Sequence, residues 1–223
     1  EVDINLGAGN DQLFGQNSTD WEGSISGGPG DDLVDLTNTS FTGDVAIDLS
    51  DGNDTLTVTN SEIGGVLAVD MGAGNDAVTL DASVVFPFIN LGVGNDQFVA
   101  TGNTIGDGVF DGGDGDDVML FSQNRFATLG NFQTDIALGS GNDQLVAAGN
   151  TFASGIDFLN VEMGDGDDYF VSGGNIFSTD TYVDANGGAG YDLLVALDSQ
   201  PPDQFIVPPI LTNWELIDPD FPA

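Results

Sequence analysis

Nine aspartates recur along this chain at near-regular intervals: Asp11, Asp32, Asp54, Asp76, Asp96, Asp117, Asp143, Asp168 and Asp192. Each closes a glycine turn of the type "LGAGND" or "GGDGDD". The residue just before it is Asn in five turns (Asn10, Asn53, Asn75, Asn95, Asn142) and Asp in three (Asp31, Asp116, Asp167). Oxygen donors of this kind suit two chemistries. They can move protons, or they can hold a hard divalent cation.

A phosphate-cradling loop is the third reading that Gly-x-Gly invites, and it fails. The dinucleotide fingerprint needs a third glycine and a following helix, whereas Gln12 and a strand-like run come after Gly9 and Asp11. There is no Lys for a P-loop, and each turn ends in a carboxylate that repels phosphate. Composition closes further classes. The chain has 37 acidic residues against one basic residue, Arg125, a net charge of −36, and neither His nor Cys. Nucleic-acid binding has no basic patch to use, and lipid headgroups have none to meet. A Ser-His-Asp triad, a Cys nucleophile and an ordinary zinc site are all excluded. No run is apolar enough to insert in a membrane.

The elements that position the aspartates repeat with them. Alternating runs such as "VDINL", "VAIDL" and "LAVDM" precede the turns. An apolar residue stands two positions after each Asp: Leu13, Val34, Leu56, Val78, Phe98, Met119, Leu145, Phe170 and Leu194. Six or seven residues past the Asp, Asn recurs as Asn17, Asn38, Asn60, Asn103, Asn124, Asn150 and Asn175. A bulky apolar residue then follows: Trp21, Phe41, Ile63, Ile105, Phe126, Phe152 or Phe177. Period-two alternation between glycine turns predicts short strands. A unit of about 22 residues cannot bury its own apolar face and must stack on its neighbours. The expected fold is all-β, a parallel β-helix or β-roll solenoid of about nine coils. At about 4.8 Å per coil it makes a rod roughly 40 Å long, with an asparagine ladder and an apolar stack inside.

Turn geometry alone explains the glycines and the Asn residues, which tolerate left-handed backbone. It leaves an Asp in all nine turns unexplained. Stacked at about 4.8 Å, adjacent carboxylates repel by roughly 3.5 kcal/mol at an effective dielectric near 20. Something positive belongs between them, and Ca²⁺ accepts six to eight oxygens in loose geometry.

On these turns the chain resembles the calcium-binding nonapeptide repeats of RTX (hemolysin-type) proteins, a secreted bacterial group, over nine stretches within residues 6–195. The resemblance implies ions between vertically adjacent turns, held by turn carbonyls and the motif aspartates. It carries over to Asp11, Asp32, Asp54, Asp76, Asp96, Asp117, Asp143, Asp168 and Asp192, with Asp31, Asp116, Asp167, Asn10, Asn53, Asn75, Asn95 and Asn142 as further oxygens nearby. The first motif position departs from glycine at Leu6, Leu49, Met71, Leu91, Leu138 and Met163, where its carbonyl still serves; Ser50 replaces a second glycine, and Tyr191 stands in the last turn. One motif per coil puts calcium along a single edge, about eight ions in all, as in extension segments of large secreted adhesins.

A hydrolase with two carboxylates and an ice-binding face are the competing readings. The aspartates are claimed by calcium, no irregular acidic pair stands out, and the turns carry no Thr rank. The chain is expected not to be an enzyme. Residues 1–198 read as repeats, and the proline-rich 199–223 reads as a cap or docking tail with Trp214 as its anchor. An uncapped first coil points to upstream coils or end-to-end contacts between copies. The expected role is a secreted or cell-surface structural rod of a fibre, surface layer or adhesin. The alternative is a non-catalytic glycan-binding module using the longer later coils, with Asn131, Phe132 and Tyr182 as contacts.

Overall fold

A computed structural model describes residues 2–19, 21–127, 132–153, 156–177, 182–197 and 214–216. The chain is a parallel β-solenoid in which the described residues contain no helix. Strands that follow the glycine turns, from Gln12–Gln16 to Asp192–Leu197, form one sheet, and Trp214–Leu216 adds a tenth strand to it. Strands that precede the turns, such as Leu67–Asp70 and Pro87–Asn90, form the second sheet together with two-residue corner strands such as Val84–Val85. Ser40–Asp48 runs through both parts of that second sheet and joins them. Nine rungs thus enclose eight complete turns. Of the proposed C-terminal cap, only Trp214–Leu216 lies within the described residues. Among the described residues, no helix is long and apolar enough to cross a membrane.

The alternation in the sequence becomes an inside and an outside. In Thr55–Thr59 and Ala77–Asp81, Leu56, Val58, Val78 and Leu80 are buried while their neighbours face out. The apolar residue two positions after each Asp enters the core from Val34 to Leu194. So do Leu49, Met71, Leu91, Leu138 and Met163. These first motif positions, where only a carbonyl was expected to matter, plug the core with their side chains. Phe98, Phe110 and Phe121 form a cluster with ring centroids 4.9–5.2 Å apart. The anchor row also forms, with Val85 as a member the sequence did not reveal. Phe126, Phe152 and Phe177 stack at 4.6 Å between successive centroids. The side chain of Trp21 lies outside the described residues.

The corner differs from the expected single asparagine ladder. Asn17, Asn38 and Asn60 occupy a left-handed position, with φ of 53°, 54° and 48°. Ala82, Gly102, Gln123, Gly149 and Gly174 take the same place in later coils. The buried ladder is the next residue along: Thr39, Ser61 and Ser83, then Asn103, Asn124, Asn150 and Asn175. From Ser61 on, each accepts the amide of its counterpart one coil earlier, from Thr39 N–H to Ser61 Oγ at 3.0 Å through Asn150 N–H to Asn175 Oδ1 at 2.9 Å. Asn103, Asn124 and Asn150 also donate Nδ2 to carbonyls inside the coil, at 2.7–2.9 Å. A one-residue difference in spacing had merged two rows with different roles.

Coil-to-coil contact is tightest at the glycine turn. Gly94 has φ of 152°, and a Cβ there would lie 1.4 Å from the Gly74 carbonyl oxygen. Gly102, at the opposite corner, has φ of 67° and open space around its Cα. Gly94→Ala is therefore expected to cost about 3 kcal/mol or more, through strain and lost stacking. Gly102→Asn, which copies Asn17, Asn38 and Asn60, should stay within about 0.5 kcal/mol of the parent. Urea unfolding of the two variants checks the contrast.

Candidate metal centre

The turn that carries each aspartate is built by backbone pairing between coils. Ala73 N–H donates to the Ser50 carbonyl at 2.9 Å, and Gly74 N–H donates to the Val93 carbonyl at 2.8 Å. The same bridge recurs from Asp51 to Ala189. The left-handed backbone falls on the turn glycines, for instance Gly72 at 94° and Gly74 at 153°, and on Ser50 at 71°. It does not fall on the Asn residues that follow.

Past the second glycine the chain places two side chains in two separate rows. The inner row is the nine motif aspartates. From Asp32 to Asp192 they are at most 2% exposed. Each Oδ1 accepts the backbone N–H of the aspartate one coil earlier, as in Asp32 N–H to Asp54 at 2.6 Å and Asp117 N–H to Asp143 at 2.7 Å. The row runs unbroken from Asp11 to Asp192, where the last bond is 3.2 Å. Each Oδ2 is buried and has no hydrogen-bond partner, in all nine residues. At Gly27, Gly112 and Gly187 this oxygen of the same turn occupies the space a Cβ would take, 2.3, 2.7 and 2.6 Å from it.

The outer row holds the other candidate ligands, Asn10, Asp31, Asn53, Asn75, Asn95, Asp116, Asn142 and Asp167, all exposed. Here each Oδ1 reaches forward and accepts the amide of the next coil, at 2.7–3.1 Å, ending with Tyr191 N–H on Asp167. Inner and outer side chains therefore lock each coil interface in opposite directions. Sequence reasoning assigned these residues to turn conformation and to nearby ions, and missed the outer ladder. Its signal was present in the restriction of eight of the nine positions to Asn or Asp, the short side chains that can reach a neighbouring amide.

From Asp54 to Asp192, burial dominates the electrostatics of the inner row. Loss of water pushes Asp54 up to about 6 and Asp76, Asp117 and Asp143 up to about 7, with neighbouring carboxylates adding to the rise. Asp96, Asp168 and Asp192 are raised for the same first reason. In the outer row, the Asn53 backbone and side-chain hydrogen bonds hold Asp31 below the usual carboxylate range. Proteins rarely leave one buried polar oxygen unpartnered, let alone nine in a row. Such oxygens call for a proton or a cation.

The donor chemistry fits a hard divalent cation: ionisable oxygens, desolvated, at a regular spacing. Among the described residues no three acidic side chains converge on one point. A cation on this row would therefore draw its remaining ligands from backbone carbonyls, in keeping with calcium's tolerance for them. No family model, curated protein or solved structure matches the chain.

The raised values fix a pH dependence for the metal-free protein. Unfolded aspartates titrate near about 3.9, so between roughly pH 4 and pH 7 the folded chain binds more protons than the unfolded one. Metal-free stability should be highest near the bottom of that window and fall as the pH rises through it. The urea midpoint of chelator-dialysed protein is expected to be higher at pH 5 than at pH 8; the reverse order contradicts the account of the row.

Proposed function

We propose that the chain is a secreted, calcium-stabilised structural β-solenoid, a rigid rod within an extracellular fibre, surface layer or adhesin of a bacterium. One observation carries the reading: nine buried carboxylate oxygens stand in a single file along one edge, each without a partner. Asp11, Asp32, Asp54, Asp76, Asp96, Asp117, Asp143, Asp168 and Asp192 are the proposed ligands. The outer Asn and Asp residues support them by holding successive turns in register. Bound calcium supplies positive charge that the chain itself, with one basic residue, lacks. Ions that bind only the folded row stabilise it by mass action. A chain of this kind stays loose where calcium is scarce and sets where calcium is abundant, which suits a protein that matures after export. A role in architecture, without catalysis, accords with the use of the aspartates inside the wall. End-to-end contact between copies is part of the same proposal, because parallel coils present matching edges.

Calcium titration at neutral pH tests it. The unfolding midpoint should rise with calcium, and the number of bound ions should approach about eight, one per gap between rungs. Asp117→Asn keeps an Oδ1 acceptor for Asp96 N–H but removes a buried charge. This variant should gain stability in chelator and lose about one or two ions. Circular dichroism and melting behaviour unchanged between calcium and chelator would sink the proposal.

A groove on the second sheet favours the glycan-binding alternative. It has a volume of about 730 Å³, with Ser24, Ala46 and Ala68 on its floor and Asp48, Asp70 and Asp111 along it. Phe88, 49% exposed, stands in it as a surface on which a sugar ring can stack. Retention on a glycan array that is lost in Phe88→Ala would decide for this reading. The contacts first expected, Asn131, Phe132 and Tyr182, have side chains outside the described residues.

A further inference from the structure

The two sheets of this rod carry opposite surfaces. The sheet of pre-turn strands shows acidic side chains to solvent at Asp48, Asp70, Asp111, Asp135, Glu162 and Asp184, at outward positions of its strands, interrupted between Asp70 and Asp111 by the uncharged Phe88 and Asn90 of Pro87–Asn90. The sheet of post-turn strands does not. Its central outward row reads Val99, Leu120, Val146, Val171 and Val195, one above another and partly exposed. The flanking outward positions of the same strands are apolar, small or uncharged. Over the nine rungs, charge interrupts this face only at Asp35 and Asp81. In a chain of net charge −36, that is a face kept clear of charge.

The face is also regular. The register of its rungs runs without a shift from Gln12–Gln16 to Asp192–Leu197, whereas the other sheet shifts at Trp21/Gly23 and Phe132/Gln133. Straight rows of Val and Leu on an even sheet can meet an identical surface, as the inner faces of stacked sheets do.

We infer that this face binds a second copy of the chain, the two rods lying side by side and parallel, rung against rung. A twofold axis along the rods sets the Val99–Val195 row of one copy against the same row of the other. From Thr55–Thr59 to Asp192–Leu197 the face measures about 34 Å by 17 Å. That is about 600 Å² per copy and about 1,200 Å² in total, the lower edge of specific interfaces, so the pairing is a weak one. Charge selects the partner. A basic protein is drawn to the acidic sheet, whereas another strongly acidic chain can approach closely only through a surface without charge. The pairing is lateral, so it is independent of end-to-end contact, and it requires only that the solenoid be folded.

Sedimentation velocity of the full chain tests it, from micromolar to hundreds of micromolar protein, in calcium and in chelator, with circular dichroism confirming the fold in each sample. A monomer–dimer equilibrium is expected in every folded sample. Added sodium chloride should strengthen it, because salt screens the repulsion between two polyanions while leaving apolar contact intact. Loss of fold in chelator is read from dichroism and bears on calcium alone. Val146→Asp should weaken the dimer at least tenfold, and Val146→Thr, which copies Thr57 and Thr79 on the same row, several-fold with the fold unchanged. Phe88→Asp, on the opposite sheet, should leave association unchanged. A folded chain that stays monomeric at all concentrations overturns the inference, as does a dimer that both Val146 variants leave intact.

Discussion

Everything in this rod depends on a row of desolvated carboxylates held one coil apart. The inward turn of each aspartate satisfies an amide that the strand ladders cannot reach, since the chain is bending there. It also strands an oxygen in the wall. The gain is a hydrogen bond of a charged kind, shorter and stronger than a neutral one. The cost is a buried charge beside like charges, shielded from bulk solvent and without a hydrogen-bond donor from the described residues to offset it. One arginine in the whole chain, exposed at the start of Arg125–Phe126, cannot relieve nine sites. The fold therefore requires either protons or cations at its edge. Which of the two is bound depends on pH and on the ions of the surroundings.

The rest of the coil keeps that row in line. Glycines allow turn backbones to touch at distances no side chain tolerates, and the outer Asn/Asp ladder fastens the same interfaces from outside. On the far side of the cross-section, hydroxyl and then amide side chains make a second buried ladder. That ladder is neutral and fully satisfied. The contrast is informative: where the structure needs only to cap amides, Ser, Thr and Asn suffice, yet the turn edge uses Asp in every rung. A carboxylate at each step is more than capping demands, and it is the feature that points to a bound cation.

Much of this was legible in the sequence, because a solenoid writes its cross-section into its period. The nine aspartates, the alternation beside them and the apolar residue two positions on gave fold class, core and rung count together. Errors arose where one residue of spacing changes a side chain's environment. Asn60 and Asn103 look like members of one row by their distance from the Asp, but Asn60 is left-handed and exposed while Asn103 is buried. Leu49 and Met71 stand where the motif needs only a carbonyl, yet their side chains fill the core. The outer ladder is hard to read from sequence because an Asn beside a glycine has a sufficient explanation in turn conformation. The longer last coils kept their aspartates countable, because the added residues fall between corner and strand and leave the paired rungs in register.

Infrared spectroscopy of the carboxyl groups tests the central claim most directly, since protonated and ionised carboxyls absorb at well-separated frequencies. At neutral pH, metal-free protein should show a band from protonated, buried aspartic acids, reflecting the values near 7 in mid-row. Calcium should abolish that band and release protons, replacing it with bands of metal-bound carboxylate. A protonated band that calcium leaves unchanged, or a row fully ionised without any bound cation, would contradict the account.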